Sequence, residues 1–259
     1  MAWGIFEVWL VAGGLLLLMI LAREAGGWVR PRVVRAVAAG GETAYEGYIL
    51  SAVLGLLAFL LGFTFNMGLD RYETRRDLVV QEANAISSAA LRFEVLDEPQ
   101  RSQAARMFAT YAQTRLAYGH AVRAQKPPLV ERSRSLRGQI EEMAESAVAP
   151  IRDTALASSI LSSVIEVSDI GAEREAAVAA TIPSRVITLL CAYMVASAAM
   201  LGFVMAGAPQ RHRWETTLVC LLFVTALGLI LDLDAPQTGA VQVSQEPMEV
   251  LVRSLAAEP

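Results

Sequence analysis

An uncharged apolar stretch from Tyr48 to Leu69 constrains the fold of this chain more than any other feature of its sequence. Its length, about twenty residues, is sufficient for a helix that crosses a bilayer core of ~30 Å. The sequence becomes charged at Asp70, and no Gly or Pro at that point ends the helix. We therefore predict one helix that leaves the membrane and continues for several turns in water.

Both parts of this helix carry a patterned face. Beyond the membrane, apolar residues at helical spacing predict a stripe that packs against a partner helix. This stripe is formed by Tyr72, Val79, Ala83, Ile86, Ala90 and Phe93. Inside the membrane, residues spaced by three or four share a face that ends in two polar side chains: Gly55, Phe59, Phe63, Asn66 and Asp70. Such a face either lines a pore or packs against other helices, and the spacing leaves both interpretations open.

A specific motif occupies the same positions. The helix contains the pattern Phe-x-x-Gly-Phe, followed by Asp-Arg and an aromatic residue, at Phe59, Gly62, Phe63, Asp70, Arg71 and Tyr72. Four further positions continue the pattern: Arg76, Leu78, Gln81 and Asn84. From Tyr48 to Arg92 the chain resembles the second transmembrane helix of the bestrophin anion channels, and more closely that of the bacterial bestrophin-like membrane proteins.

The resemblance implies a homo-oligomeric ring, a pentamer in bestrophins, in which the second transmembrane helix lines a central pore. It implies that Phe59 and Phe63 form the apolar neck of this pore. Gly55 takes a third neck position, which is bulky and aliphatic in bestrophins. The predicted pore-mouth residues are Asn66, Asp70, Arg71 and Arg75. Arginine at a mouth would raise the local anion concentration, and the alternative is a solvated helix face whose carboxylates nearly cancel that charge.

Composition and the remaining apolar stretches predict the rest of the architecture. With 54% hydrophobic residues, the chain is expected to be a membrane protein. Four stretches are predicted to cross the membrane: Trp3–Ala22, Tyr48–Leu69, Val186–Met205 and Trp214–Leu231. The predicted fold class is all-α and bestrophin-like, with four transmembrane helices and a helical soluble domain between the second and third. The predicted domains are residues 1–69, the soluble domain 70–182, residues 183–233, and a C-terminal tail 234–259.

Local signals predict where individual elements begin and end. The segment from Arg23 to Gly47 is expected to form a basic interfacial loop. Small residues in the third crossing predict a close helix approach: Ala196, Ser197, Ala199 and Gly202. In the soluble region, Asp97 is the predicted cap of a helix that Pro127 and Pro128 end. The stripe predicted for that helix consists of Ala104, Phe108, Tyr111, Tyr118 and Val122.

The sequence lacks the motifs of enzymatic chemistry. It has no Gly-rich phosphate loop, no Cys/His cluster and no nucleophile elbow, so we expect no catalysis and no bound metal or cofactor. The 22 basic and 26 acidic residues nearly balance, which gives no reason to expect nucleic acid as a partner. The expected partners are further copies of this chain, the lipid bilayer, and chloride or other small anions.

Two functions stay open on the sequence alone. The first is passive conduction of chloride-type anions through a pore lined by the second transmembrane helix. The second is a membrane-anchored helical sensor or scaffold that does not conduct ions. Flux through liposomes that contain the purified protein separates the two.

The expected location is the inner membrane of a bacterium. Every basic residue except Lys126 is Arg, which fits a GC-rich bacterial genome. Six Arg in the two short loops, against one in the N-terminus and the tail, favour a soluble domain outside the cytoplasm. The resemblance implies the cytoplasmic side instead, so the orientation stays open with the extracytoplasmic side slightly favoured.

Overall fold

The chain folds into α-helices joined by short connections. In the computed structural model, the described residues are 5–37, 44–207, 213–235 and 241–257, and these contain eight α-helices and no β-strand. The helices are α1 (Ile5–Val37), α2 (Ala44–Phe93), α3 (Gln100–His120), α4 (Lys126–Val148), α5 (Ala155–Ala179), α6 (Ser184–Met205), α7 (Arg213–Asp234) and α8 (Glu246–Ala257). Four candidate membrane spans in the described part are long and apolar enough to cross a bilayer. The predicted all-α membrane architecture is confirmed.

One compact unit comprises Met1–Asp70 and Thr181–Ala240. It contains α1, the first part of α2, α6 and α7. Its apolar core draws on all four helices and includes Leu15, Met19, Leu57, Leu61, Leu190, Met194, Cys220, Val224 and Leu227. These side chains are buried because each helix turns one apolar face toward the others.

Glycines let α1 and α6 approach each other closely in this unit. A Cβ atom at Gly202 would overlap the backbone carbonyl of Arg23, and one at Gly26 would overlap the carbonyl of Ala199. Small residues permit such backbone contact between membrane helices. The predicted close approach of the third crossing is confirmed, and its partner is α1 of the same chain.

Helix α1 extends farther than the sequence predicts. The segment from Arg23 was expected to be a loop, yet the helix continues to Val37 with Pro31 inside it. The guanidinium group of Arg30 donates to the carbonyls of Phe203 (2.9 Å) and Val204 (3.3 Å), at the end of α6. Because the Arg30 side chain supplies hydrogen bonds to carbonyls at the end of α6, it can be accommodated in a packed helix. The predicted loop residues 38–43 lie outside the described part of the chain.

The other compact unit comprises Arg71–Ala180 and Val241–Pro259. It is built from the second part of α2 with α3, α4, α5 and α8. Most of the predicted stripe on α2 is confirmed: Val79, Ile86 and Phe93 are each at most 1% exposed and Ala83 is buried, while Tyr72 and Ala90 are half-buried. The ring of Phe93 packs edge-on against that of Phe108 in α3, with 5.5 Å between the ring centroids. Four of the five predicted stripe residues of α3 are buried, and the exception is Val122, which lies beyond the helix.

Both predicted ends of α3 differ from the observed ones. Pro127 and Pro128 do not end α3, which stops at His120; they lie in the first turn of α4, where a missing N–H costs nothing. The carboxylate of Glu98, and not that of Asp97, accepts the backbone N–H of Ser102 in the first turn of α3. The C-terminal tail contains α8, whose Met248 and Leu251 join the apolar core.

Candidate functional site

The membrane part of α2 has one packed face and one uncovered face. Leu57 and Leu61 are buried in the core. On the other side of the helix, Phe59 is 66% exposed and Phe63 is 60% exposed. A Cβ atom at Gly55 would meet no other atom within 4 Å. The three predicted neck residues therefore lie on a side of α2 that no other described part of the chain covers.

Two predicted mouth residues continue this uncovered face. Asn66 and Asp70 are both exposed, and the side-chain amide of Asn66 donates to the Asp70 carboxylate at 3.0 Å. One turn of helix separates the two residues, so the bond fixes both side chains on one face. They form a polar end to the apolar row of Gly55, Phe59 and Phe63.

The two predicted mouth arginines are placed differently. Arg71 is half-buried. Arg75 is 2% exposed and donates to the backbone carbonyls of Ala177 (3.2 Å) and Ala180 (2.8 Å), at the C-terminal end of α5. Positive charge is favourable at the end of a helix where carbonyls lack intrahelical partners. Arg75 is about 160° around α2 from Phe59 by helical spacing, so it does not share the uncovered face.

A buried charge network that the sequence analysis did not identify lies in the unit with α3 and α5. Glu82 of α2 is fully buried and accepts hydrogen bonds from Arg115 Nε and Arg174 Nη1, each at 2.5 Å. The Tyr111 hydroxyl donates to the same carboxylate at 3.3 Å. Arg115 also donates to Glu175 at 3.2 Å. These contacts tie α2, α3 and α5 together at the centre of the unit.

Charge attraction keeps the network ionised despite its burial. Burial alone would raise the pKa of Glu82, but attraction by Arg115 and Arg174 outweighs it, so the pKa is lowered from its usual value. Burial, together with the negative charge of Glu82, raises the pKa of Tyr111 to about 12. Tyr111 is therefore a neutral hydrogen-bond donor, and the network has no activated nucleophile.

A lysine borders the network with an altered charge state. Lys126 is 8% exposed, and its ammonium group lies 4.0 Å from the centre of the Tyr118 ring. It donates to the backbone carbonyl of Tyr118 at 3.3 Å. Burial, and then repulsion by Arg174, Arg115 and Arg75, lowers the pKa of Lys126 to about 7. This side chain consequently changes charge near neutral pH.

The C-terminal tail also reaches the network. Arg174 Nη2 donates to the side-chain carbonyl of Gln245 at 2.6 Å. Two glycines leave space for the side chains of the network. A Cβ atom at Gly119 would overlap the side chain of Gln245. A Cβ atom at Gly171 would lie 2.6 Å from Arg137 Nη1 and 2.7 Å from the Tyr111 hydroxyl. The network thus holds the tail onto α3 and α5.

The sequence contained a signal for these residues. Glu82 is spaced three and four residues from Val79 and Ile86, so it occupies a core position of the α2 stripe. Arg115 has the same relation to Tyr111 and Tyr118 in α3. A charged residue at a core position must find a partner in the interior, because an unpaired buried charge is costly.

The geometry offers no metal site in the described part of the chain, where no three His, Cys, Asp or Glu side chains cluster. What the described residues do present is an apolar helix face with a polar end in one unit, and a network of buried ion pairs in the other.

Comparisons with known proteins agree with this architecture. Residues 17–248 match the bestrophin-like domain family. No curated protein matches the chain. A crystal structure of a bacterial bestrophin homologue from Klebsiella pneumoniae is similar over 93% of this chain and 96% of its own, with 12% identity and a TM-score of 0.68. A point variant of that homologue gives 94% and 97% coverage, 13% identity and a TM-score of 0.68. At this identity the likeness shows the fold.

Proposed function

The chain belongs to the bestrophin-like family, and on that premise we propose that it assembles into a homo-oligomeric channel that conducts small ions passively. Bestrophin-like proteins are channels and not enzymes, and we propose no catalytic activity for this one. The observation that carries the proposal is the uncovered face of α2, where Phe59 and Phe63 are mostly exposed.

A ring of copies gives this face a function. Phe59 and Phe63 are one helical turn apart, so each would form a ring of aromatic side chains, the two rings separated by about 6 Å along the pore. Aromatic rings cannot replace the hydration shell of an ion, and a narrow apolar ring blocks conduction by dewetting. The neck is therefore the barrier that sets the conductance, and Gly55 leaves the third position of the neck wide.

Chloride-type anions are the first candidate for the conducted ion, because that is the selectivity of the bestrophin anion channels. One observation favours small cations as a second candidate. Asp70, Glu73 and Asp77 are exposed and, at helical spacing, share the face of α2 that carries the proposed neck. Rings of carboxylates attract cations. Under a salt gradient across a planar bilayer, a reversal potential near that of chloride supports the first candidate, and the opposite sign supports the second.

Truncation of the neck tests the proposal. We expect Phe59→Ala with Phe63→Ala to raise ion flux into liposomes several-fold without loss of the oligomer. The matched control is Leu218→Ala with Leu222→Ala, two exposed apolar residues of α7 that are also one turn apart. Background flux for the intact wild-type and double-variant oligomers alike would contradict the channel and favour a non-conducting sensor or scaffold.

The assembly itself is a pentamer in our proposal. The resemblance to bestrophins, whose second transmembrane helix lines the pore of a pentamer, supports five copies that turn the exposed face of α2 toward a common axis. Native mass spectrometry in several mild detergents measures the number of copies. A monomer in all of them would contradict the assembly and, with it, the central pore.

We propose that the protein lies in a bacterial inner membrane with its soluble helices outside the cytoplasm. Gln125 is exposed between α3 and α4. In a background that lacks Cys191 and Cys220, we expect Gln125→Cys to react with an impermeant thiol reagent in intact spheroplasts. Labelling only after lysis would contradict this orientation and place the soluble helices on the cytoplasmic side.

A further inference from the structure

A pocket formed by α1, α6 and α7 combines buried and exposed positive charge. It is a partly open pocket with a volume of about 180 Å³. Arg23 and Glu24 of α1 line one side, and Arg213 and Thr216 of α7 line another. Neither the proposed pore nor the buried network of the other unit uses these residues.

Arg23 is held rigidly at the base of the pocket. Its side chain is over nine-tenths buried. Nη1 donates to the backbone carbonyl of Arg213 (2.9 Å) and to the hydroxyls of Thr216 (3.0 Å) and Thr217 (2.6 Å). These bonds anchor the guanidinium group to the first turn of α7. The positive charge is therefore pre-organised beside the pocket and loses no side-chain freedom on binding.

The described charged side chains that line the pocket do not cancel one another. Glu24 lies between two guanidinium groups and accepts from Arg23 Nη2 at 2.7 Å and Arg213 Nη2 at 2.9 Å. Among the described residues that line the pocket, two positive charges thus face one carboxylate, so this lining carries a net positive charge that can attract an anionic ligand. The side chain of Arg213 is 58% exposed, so its guanidinium group can reach a molecule that enters from outside.

The position of the pocket indicates which kind of ligand can reach it. Its walls are the C-terminal end of α6 and the start of α7, where two candidate membrane spans end. Trp28, which lines the pocket, is 74% exposed, and Trp214 beside Arg213 is 71% exposed. Exposed Trp next to Arg is typical of the level at which lipid headgroups lie.

We propose that this pocket binds the phosphate group of an anionic phospholipid. The phosphodiester accepts hydrogen bonds from Arg213 and is attracted by the fixed charge of Arg23, while Trp28 contacts the glycerol and upper acyl chain. Basic pockets between transmembrane helices bind anionic headgroups by this chemistry. The binding does not require that the protein conducts ions, so it can be tested separately from the channel.

The test is lipid binding to the full-length protein in mild detergent, measured by native mass spectrometry. We expect phosphatidylglycerol to bind and phosphatidylcholine, which has no net charge, to bind at least about tenfold more weakly. Arg213→Gln should weaken phosphatidylglycerol binding about tenfold, since it removes a charged donor and leaves the carbonyl that Arg23 uses. The matched control is Arg32→Gln, an exposed arginine near the C-terminal end of α1 that does not line the pocket.

A second variant changes binding in the opposite direction. Glu24→Gln removes the carboxylate that competes with the ligand, so we expect tighter binding of phosphatidylglycerol. Equal weakening by Arg213→Gln and Arg32→Gln would overturn the proposal, because it would indicate general surface attraction. Weaker binding in Glu24→Gln, or displacement of the lipid by millimolar inorganic phosphate, would also overturn it, the latter in favour of a site for free phosphate.

Discussion

Removal of the charge at Glu82 should destabilise the unit with α3 and α5 more than any other substitution in α2 that preserves the size of the side chain. Glu82→Gln keeps the shape of the side chain and one acceptor oxygen. It removes the negative charge that faces Arg115 and Arg174, both of which are buried. The two buried guanidinium groups then lose the carboxylate that neutralises their charge.

The size of the effect follows from the geometry. Both ion pairs have 2.5 Å contacts and a carboxylate with no solvent exposure. Breaking a buried pair by loss of one partner costs about 3–5 kcal/mol. Whole domains are stable by about 5–15 kcal/mol, so this change removes a large share of the stability of the unit.

Hydrogen–deuterium exchange of α3 and α5 amides measures this loss where it occurs. The four Trp residues all lie outside this unit, so their fluorescence is a poor probe of it. For the slowest amides we expect exchange about 10²- to 10⁴-fold faster in Glu82→Gln. The matched control is Glu73→Gln, the same chemical change at an exposed position of α2.

Acid provides a second measurement of the same pair. The pKa of Glu82 is lowered in the folded chain. The carboxylate therefore contributes to the free energy of unfolding above the unfolded pKa of about 4.3, and this contribution is lost as pH falls through the folded pKa. Glu82→Gln lacks this dependence. Exchange in Glu82→Gln that equals the rate in Glu73→Gln would refute the reasoning, as would wild-type exchange that shows no acid dependence beyond that of the variant.

Two further perturbations test other parts of the structure. The pKa of Lys126 is about 7 in the folded chain and about 10.4 in the unfolded chain. Below pH 7 the buried side chain is charged, and this charge destabilises the fold. Between pH 7 and about pH 10.4 the free energy of unfolding rises by up to about 1.4 kcal/mol per pH unit, because only the unfolded chain still binds the proton. Urea unfolding should therefore show Lys126→Met more stable than wild type at pH 6 by a margin that shrinks at pH 9; a constant margin would contradict this. Gly202→Ala should cost about 1–3 kcal/mol because its Cβ overlaps the Arg23 carbonyl. Gly228→Ala, with open space around it, should leave the thermal midpoint nearly unchanged, and equal shifts in both would argue against the close helix contact.

Much of the fold could be predicted because its signals are local. An uncharged run long enough to cross a bilayer can satisfy its backbone only as a helix, so the membrane helices follow from composition and length. The spacing of Val79, Ile86 and Phe93 likewise identifies the face of α2 that becomes buried. The spacing of Phe59 and Phe63 placed them on a common face, and both side chains are mostly exposed in the structure.

The placement of charged side chains could not be predicted in the same way. Arg75 follows the membrane helix closely enough to suggest a pore mouth, yet its partners are carbonyls of α5, about a hundred residues farther along the chain. Arg23 marks the start of a loop by sequence and is instead held by α7. Long basic side chains can turn toward water, lipid or protein, and helical spacing alone does not distinguish these environments.

The sequence by itself determined the helices, their apolar faces and the family resemblance, because these depend on neighbours within a few turns. Only the tertiary structure decided which charges are buried. Glu82 and Arg174 lie 92 residues apart and meet in the core, while Glu73 and Asp77 on the same helix remain exposed. The physical reason is that the cost of burying a charge depends on its partners in space, and those partners come from elements that only the folded chain brings together.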